Sequence, residues 1–190
     1  MERYYEASHL LDHVSIWPKK VRILLQNAVS EIRKVNFIGQ LEDYFGPFGI
    51  FDEDNVGREE IYWRLVRPNE KSDVGPLHAD AWFWELGHGV TPDNMVRVKV
   101  WIGIYVEPRL NGFKYLHGSH LKNWPYHMVL KDGLKKPQID VDEDSLNSLF
   151  FLGKPGDAII FHDKLLHGGI TGMGNRTRVS LEFTMFVKPW

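Results

Sequence analysis

The sequence predicts a mainly β protein in which a helical N-terminal third covers one sheet of a β-sandwich or jelly roll. Five segments beyond residue 60 are rich in Val, Ile, Phe, Tyr and Trp and are separated by Gly, Pro and Asn. Helical periodicity, by contrast, is confined to the first third. The length of 190 residues suits one domain with a core of its own.

Taken in order, residues 18–34 carry the helical pattern. Pro18 suits a first helical position, and Ile23, Leu24, Asn27, Ala28, Glu31 and Ile32 divide into apolar and polar faces. Residues 35–58 contain Gly46, Pro47, Gly49 and Gly57 and predict short helix and loop. Strands are expected over 61–67, 96–107, 112–117, 157–162 and 178–187. Helices followed by strands suggest a helical layer over residues 1–58 and a β core over 59–190, together a single domain. In the segment 96–107, Val96, Val98, Val100, Ile102, Ile104 and Val106 form a dry face. Arg97, Lys99, Trp101, Gly103 and Tyr105 form the other, and the two large aromatics there favour a cavity wall over solvent.

Composition narrows the function. A net charge of −2 without a basic tract argues against nucleic acid as the main partner. With no cysteine, disulfides, thiolate zinc sites, iron–sulfur clusters and blue copper are excluded, so a metal must rest on His, Asp or Glu. The N-terminus has early charges and no unbroken apolar run, which does not suit a signal peptide, and no stretch is long enough for a membrane span. A soluble, cytoplasmic protein is expected, with neither membrane nor nucleic acid as partner.

The chemistry lies in Leu77-His78-Ala79-Asp80, in His167 89 residues after His78, and in Arg178-Val179-Ser180 beyond it. Two imidazoles and one carboxylate on one face of octahedral Fe(II) leave three positions open for a co-substrate and O₂. His78 and Asp80 are two apart, so on a strand their side chains would share a face. Alone, a His-x-Asp pair is weak evidence, and the second histidine raises it. His162 competes with His167, but it ends an expected buried strand, whereas His167 opens the loop Gly168-Gly169 and is preferred. The other six, His9, His13, His88, His117, His120 and His127, read as surface or structural. Arg178 with Ser180 on its own face suits a carboxylate clamp, with Arg176 the weaker candidate and a plain salt bridge the blander reading.

These elements resemble the phytanoyl-CoA dioxygenase-like (PhyH) branch of the Fe(II)/2-oxoglutarate oxygenases. The resemblance runs from about Trp63 to Phe186. It rests on Val66-Arg67-Pro68, Leu77-His78-Ala79-Asp80, Asn111-Gly112 through Gly118-Ser119-His120, Gly156-Asp157, Leu166-His167-Gly168, Asn175 and Arg178-Val179-Ser180. His117 stands where the family usually has Pro, a departure that touches only a turn. The chain is also shorter than usual for the family, so a substrate-covering segment is expected to be reduced. The resemblance implies a cupin-like double-stranded β-helix with iron held by His78, Asp80 and His167. It further implies 2-oxoglutarate held by Arg178 and Ser180, with Arg67 nearby, and hydroxylation of a small molecule with release of succinate and CO₂. Because Asp80 is present, hydroxylation is favoured over halogenation. Trp82, Trp84, Lys99, Trp101 and Tyr105 are the expected substrate contacts. The alternative is a non-catalytic domain of the same fold that binds metal or 2-oxoglutarate.

Overall fold

A computed structural model describes residues 1–52, 57–131 and 133–189. Strand accounts for 32% of it and helix for 23%, so the class is mainly β, and its antiparallel sheets do not close into a barrel. The helices are α1 (Tyr5–Ser8), α2 (His13–Ile16), α3 (Gln26–Ile32), α4 (Asn36–Phe45) and, within the β region, α5 (Asp80–Glu85). The strands are β1 (Gly49–Ile50), β2 (Tyr62–Val66), β3 (Val96–Tyr105), β4 (Gly112–Tyr115), β5 (Tyr126–Lys131), β6 (Leu134–Ile139), β7 (Leu149–Phe151), β8 (Ala158–His162), β9 (His167–Ile170) and β10 (Arg178–Val187).

In the large sheet, β1 and β2 both pair with one edge of β10, whose other edge pairs with β3, and β3 with β8. A small sheet runs β7-β4-β9, and β5 and β6 form a separate hairpin. All five expected strands are present. The short helix expected over 35–58 appears as α4, but residues 49–50, expected as helix or loop, form β1 because they pair with Met185 and Phe186 of β10; residues 53–56 lie outside the described residues.

The single helix expected over 18–34 is broken. A 3-10 turn at Lys19–Val21 is followed by extended chain, and α3 begins only at Gln26. The Leu24 N–H donates to Ile61 O (2.9 Å) and the Trp63 N–H to Arg22 O (2.8 Å), so residues 22–24 lie along β2. Pairing with a sheet edge overrides helical periodicity here.

Two apolar layers result. Val29 of α3 and Ile38 and Leu41 of α4 pack on the outer face of the large sheet, against Val98, Val100, Phe183, Met185 and Val187. This is the dry face that the alternation in β3 predicts. Each fully buried aliphatic or aromatic side chain stabilises the fold by about 1.5–3 kcal/mol. The second layer lies between the sheets and contains Trp101, Phe113, Phe161, Leu165 and Val106. Val106 departs from the expected parity because β3 ends at Tyr105 and the register slips between Val179 and Ser180. Its methyls come to rest where a Cβ on Gly103 would be, 2.9 Å away.

Candidate active site

The chain brings His78 and His167 together through the backbone. The His78 N–H donates to His167 O (3.0 Å) and the His167 N–H to His78 O (2.9 Å), an antiparallel pair that puts both rings on one side. Each Nδ1 then donates to a carbonyl two residues earlier, Pro76 O for His78 and Leu165 O for His167, both at 2.8 Å. A carbonyl can only accept, so each Nδ1 carries the proton and each Nε2 offers a lone pair. His167 opens β9; it does not lie in a loop as expected, because β4 supplies the partner strand through Tyr115.

Asp80 arrives differently from the expectation. It is the first residue of α5, so the carboxylate sits in the first turn of a helix rather than along a strand. An acid there is favoured by the backbone N–H groups of the helix start. Its Oδ1 is 3.8 Å from His78 Nε2 and its Oδ2 is 3.5 Å from His167 Nε2. One ligand atom from each of the three residues lies within 4.8 Å of the others.

Lys99 completes the cluster, its Nζ 3.3 Å from Asp80 Oδ2. Burial would raise the Asp80 carboxyl, but Lys99, with the two imidazoles, holds it well below the usual carboxylate range. Burial pushes the His167 imidazole down to about 4 against the pull of Asp80, so the ring is neutral at pH 7. Farther along the same sheet face Glu182 is paired with Arg64 at 2.8 Å. Burial would raise Glu182, but Arg64 and Lys99 hold it down.

Arg178 starts β10 and is 5% exposed. One Nη donates to Gly112 O (2.6 Å), and the guanidinium lies 5.8 Å from the centre of the Trp101 ring. Burial lowers its pKa to about 10, with Glu182 opposing. Its Nε and the Ser180 Oγ are both buried without a hydrogen-bond partner among the described residues. Beside them Gly169, two residues past His167 on the same face of β9, leaves room. A Cβ there would approach Arg178 Nη2 to 3.4 Å and Val74 to 2.9 Å. A buried cation, an unsatisfied hydroxyl and a missing side chain make a cradle of the kind that suits a carboxylate.

Other expected residues lie elsewhere. The Arg67 side chain is bidentate on Asp73 (2.9 and 2.8 Å), whose charge also acts on Arg178. Trp82 stacks on Tyr126 and packs with Ile139 and Leu166. Trp84 packs against Phe51, Phe186 and Arg97, and Tyr105 is exposed at the strand end. Of the five expected substrate contacts, Lys99 touches the triad and Trp101 lies under Arg178. His162 pairs with Val98 on the outer face of the large sheet, away from the triad. Sequence reasoning missed Glu182 and Gly169. The alternation Arg178, Ser180, Glu182 would have found the first, and the spacing of two from His167 the second, had β9 been read as a strand.

A family model, that of phytanoyl-CoA dioxygenase (PhyH), matches residues 8–180. Comparison with curated proteins finds no match. Among solved structures, the non-heme monooxygenase ThoJ superposes with TM-score 0.63 at 14% identity, covering 97% of this chain and 65% of that one. EvdO2 from Micromonospora carbonacea var. aurantiaca gives 0.60 at 17%, covering 88% and 66%, and has also been solved with 2-oxoglutarate. This chain therefore spans just under two thirds of the length of either structure, and at these identities the likeness establishes the fold. With the family model matching most of its length, the chain belongs to the phytanoyl-CoA dioxygenase (PhyH) family.

Proposed function

We propose that this protein is an Fe(II)- and 2-oxoglutarate-dependent oxygenase that hydroxylates a small molecule and releases succinate and CO₂. The observation that carries the reading is the pairing of two Nε2 lone pairs and one carboxylate with a buried, incompletely satisfied Arg178–Ser180 cradle. The donor set suits Fe(II), with His78, Asp80 and His167 as its holders. When bound, Fe(II) with 2-oxoglutarate and O₂ supplies the oxidising power for an unreactive C–H bond.

The protein's own contribution is orientation. The Pro76 and Leu165 carbonyls fix the imidazole tautomers. The Arg178 fork and the Ser180 hydroxyl bind the distal carboxylate of 2-oxoglutarate, and Trp101, Phe113 and Phe161 keep water from the space behind it. Lys99, beside the triad, is the residue placed to meet a polar group of the substrate. Purified chain given Fe(II), O₂ and 2-oxoglutarate should form succinate slowly without a primary substrate. Specific binding of metal and 2-oxoglutarate with no succinate formed, even across a broad metabolite screen, would refute catalysis.

A further inference from the structure

The two segments that carry the proposed metal ligands are joined at two points. One is the reciprocal backbone pair of His78 and His167. The other is Asp163, whose carbonyl accepts the Ala81 N–H at 3.0 Å, one residue past Asp80. That N–H belongs to the first turn of α5 and has no acceptor within the helix.

The Asp163 side chain is itself anchored. The residue is 2% exposed, and one carboxylate oxygen accepts from Arg97 Nε at 2.5 Å. Arg97 is held in turn. It donates to the Thr91 hydroxyl, and its guanidinium lies 4.7 Å from the centre of the Trp84 ring. It also stands on β3 two residues before Lys99, on the same face, and Lys99 touches Asp80. The pair thus fastens the start of α5 to the strand beneath the triad.

A buried ion pair contributes little net stability, because desolvation offsets the Coulomb gain. Its place here is better explained by geometry. We propose that Asp163, with Arg97 as its counter-charge, is the positioning residue for the Asp80 carboxylate; this rests on the metal reading above. Without the pair, the 163–167 turn relaxes, the Ala81 N–H loses its acceptor, and α5 no longer presents Asp80 to the two imidazoles.

The test is Co(II) titration of the metal-free full chain, followed by visible absorption and chelator competition, for Asp163→Asn, Arg97→Met and the double variant. Each single variant should weaken Co(II) binding by about 10–100-fold and alter the Co(II) band shape, as loss of outer-shell support does. The double variant should be no worse than the worse single, since the two act as a unit. Affinity of the Co(II)-saturated variants for 2-oxoglutarate should stay at the wild-type level, a split that general loosening of the fold would not give. Wild-type Co(II) affinity in folded single variants, or losses that add in the double, would overturn the proposal. If Asp163→Asn does not fold, Arg97→Lys decides: its affinity should fall between those of wild type and Arg97→Met, and an affinity equal to wild type in both Arg97 variants overturns the proposal. A wild-type chain that binds no Co(II) would overturn the metal reading itself.

Discussion

Replacing Arg178 by Lys isolates recognition of the co-substrate from metal binding. The guanidinium spends one Nη on Gly112 O and keeps a face against Trp101, which leaves a planar fork directed over Gly169. An ammonium on a flexible stem cannot satisfy Gly112 O and present two parallel donors at once. Loss of a buried, charge-assisted pair of this kind costs about 2–4 kcal/mol. Such a loss weakens 2-oxoglutarate binding by about 30- to 700-fold. The triad is untouched, so Co(II) affinity should be unchanged. Calorimetric titration of 2-oxoglutarate into Co(II)-saturated wild type and variant measures the difference directly. Equal affinity in the two would remove Arg178 from the site and leave the Ser180 cradle without its charge.

His167→Ala should abolish Fe(II) binding, whereas His162→Ala, on the outer sheet face, should leave most of it; equilibrium dialysis with Fe(II) distinguishes them, and the reverse ranking would mean the wrong histidine was chosen. Wild-type enzyme given chloride and its substrate should yield only oxygenated or desaturated product by mass spectrometry, while Asp80→Gly should bind iron more weakly, because a charged ligand is lost. Chlorinated product from wild type would show that Asp80 is not a ligand. Acid should destabilise the metal-free fold in two stages. His167 titrates near 6.5 when unfolded and at about 4 when folded, so the unfolded chain binds more protons between those values and stability falls as pH drops through that window. The Asp80 carboxyl is depressed in the folded state, so its contribution, present above the unfolded value near 3.8, is lost as pH falls below it. Urea midpoints from pH 7 to pH 4 in wild type and His167→Gln test the first stage, which the variant should lack.

Apart from the two-residue β1, the strands of the large sheet and the triad were legible because both are written in short-range pattern: alternation in β3 and β10, and His-x-Asp followed by a second His. What escaped was decided by partners distant in sequence. Residues 22–24 have helical periodicity but answer to the edge of β2. His167 precedes two glycines that read as a loop, yet β4 recruits it into a strand. The β5–β6 hairpin was missed although Asp132-Gly133 is a strong turn signal, with Gly133 at φ +75°. Lys135, Lys136 and Pro137 obscured β6; a two-stranded hairpin tolerates all three.

The reciprocal pairing of His78 with His167 also bears on how the protein assembles. In small zinc modules the ligands are near neighbours in sequence, and the ion itself drives folding. Here the two imidazoles are separated by 89 residues, so the entropy of closing that span falls on the sheets and not on the ion. Metal therefore enters late, into a pocket whose backbone rung already exists, and chelation should strip it without unravelling the chain. Loading is then a matter of exchange with a folded protein, and which ion occupies the site follows what the surroundings offer after folding is complete.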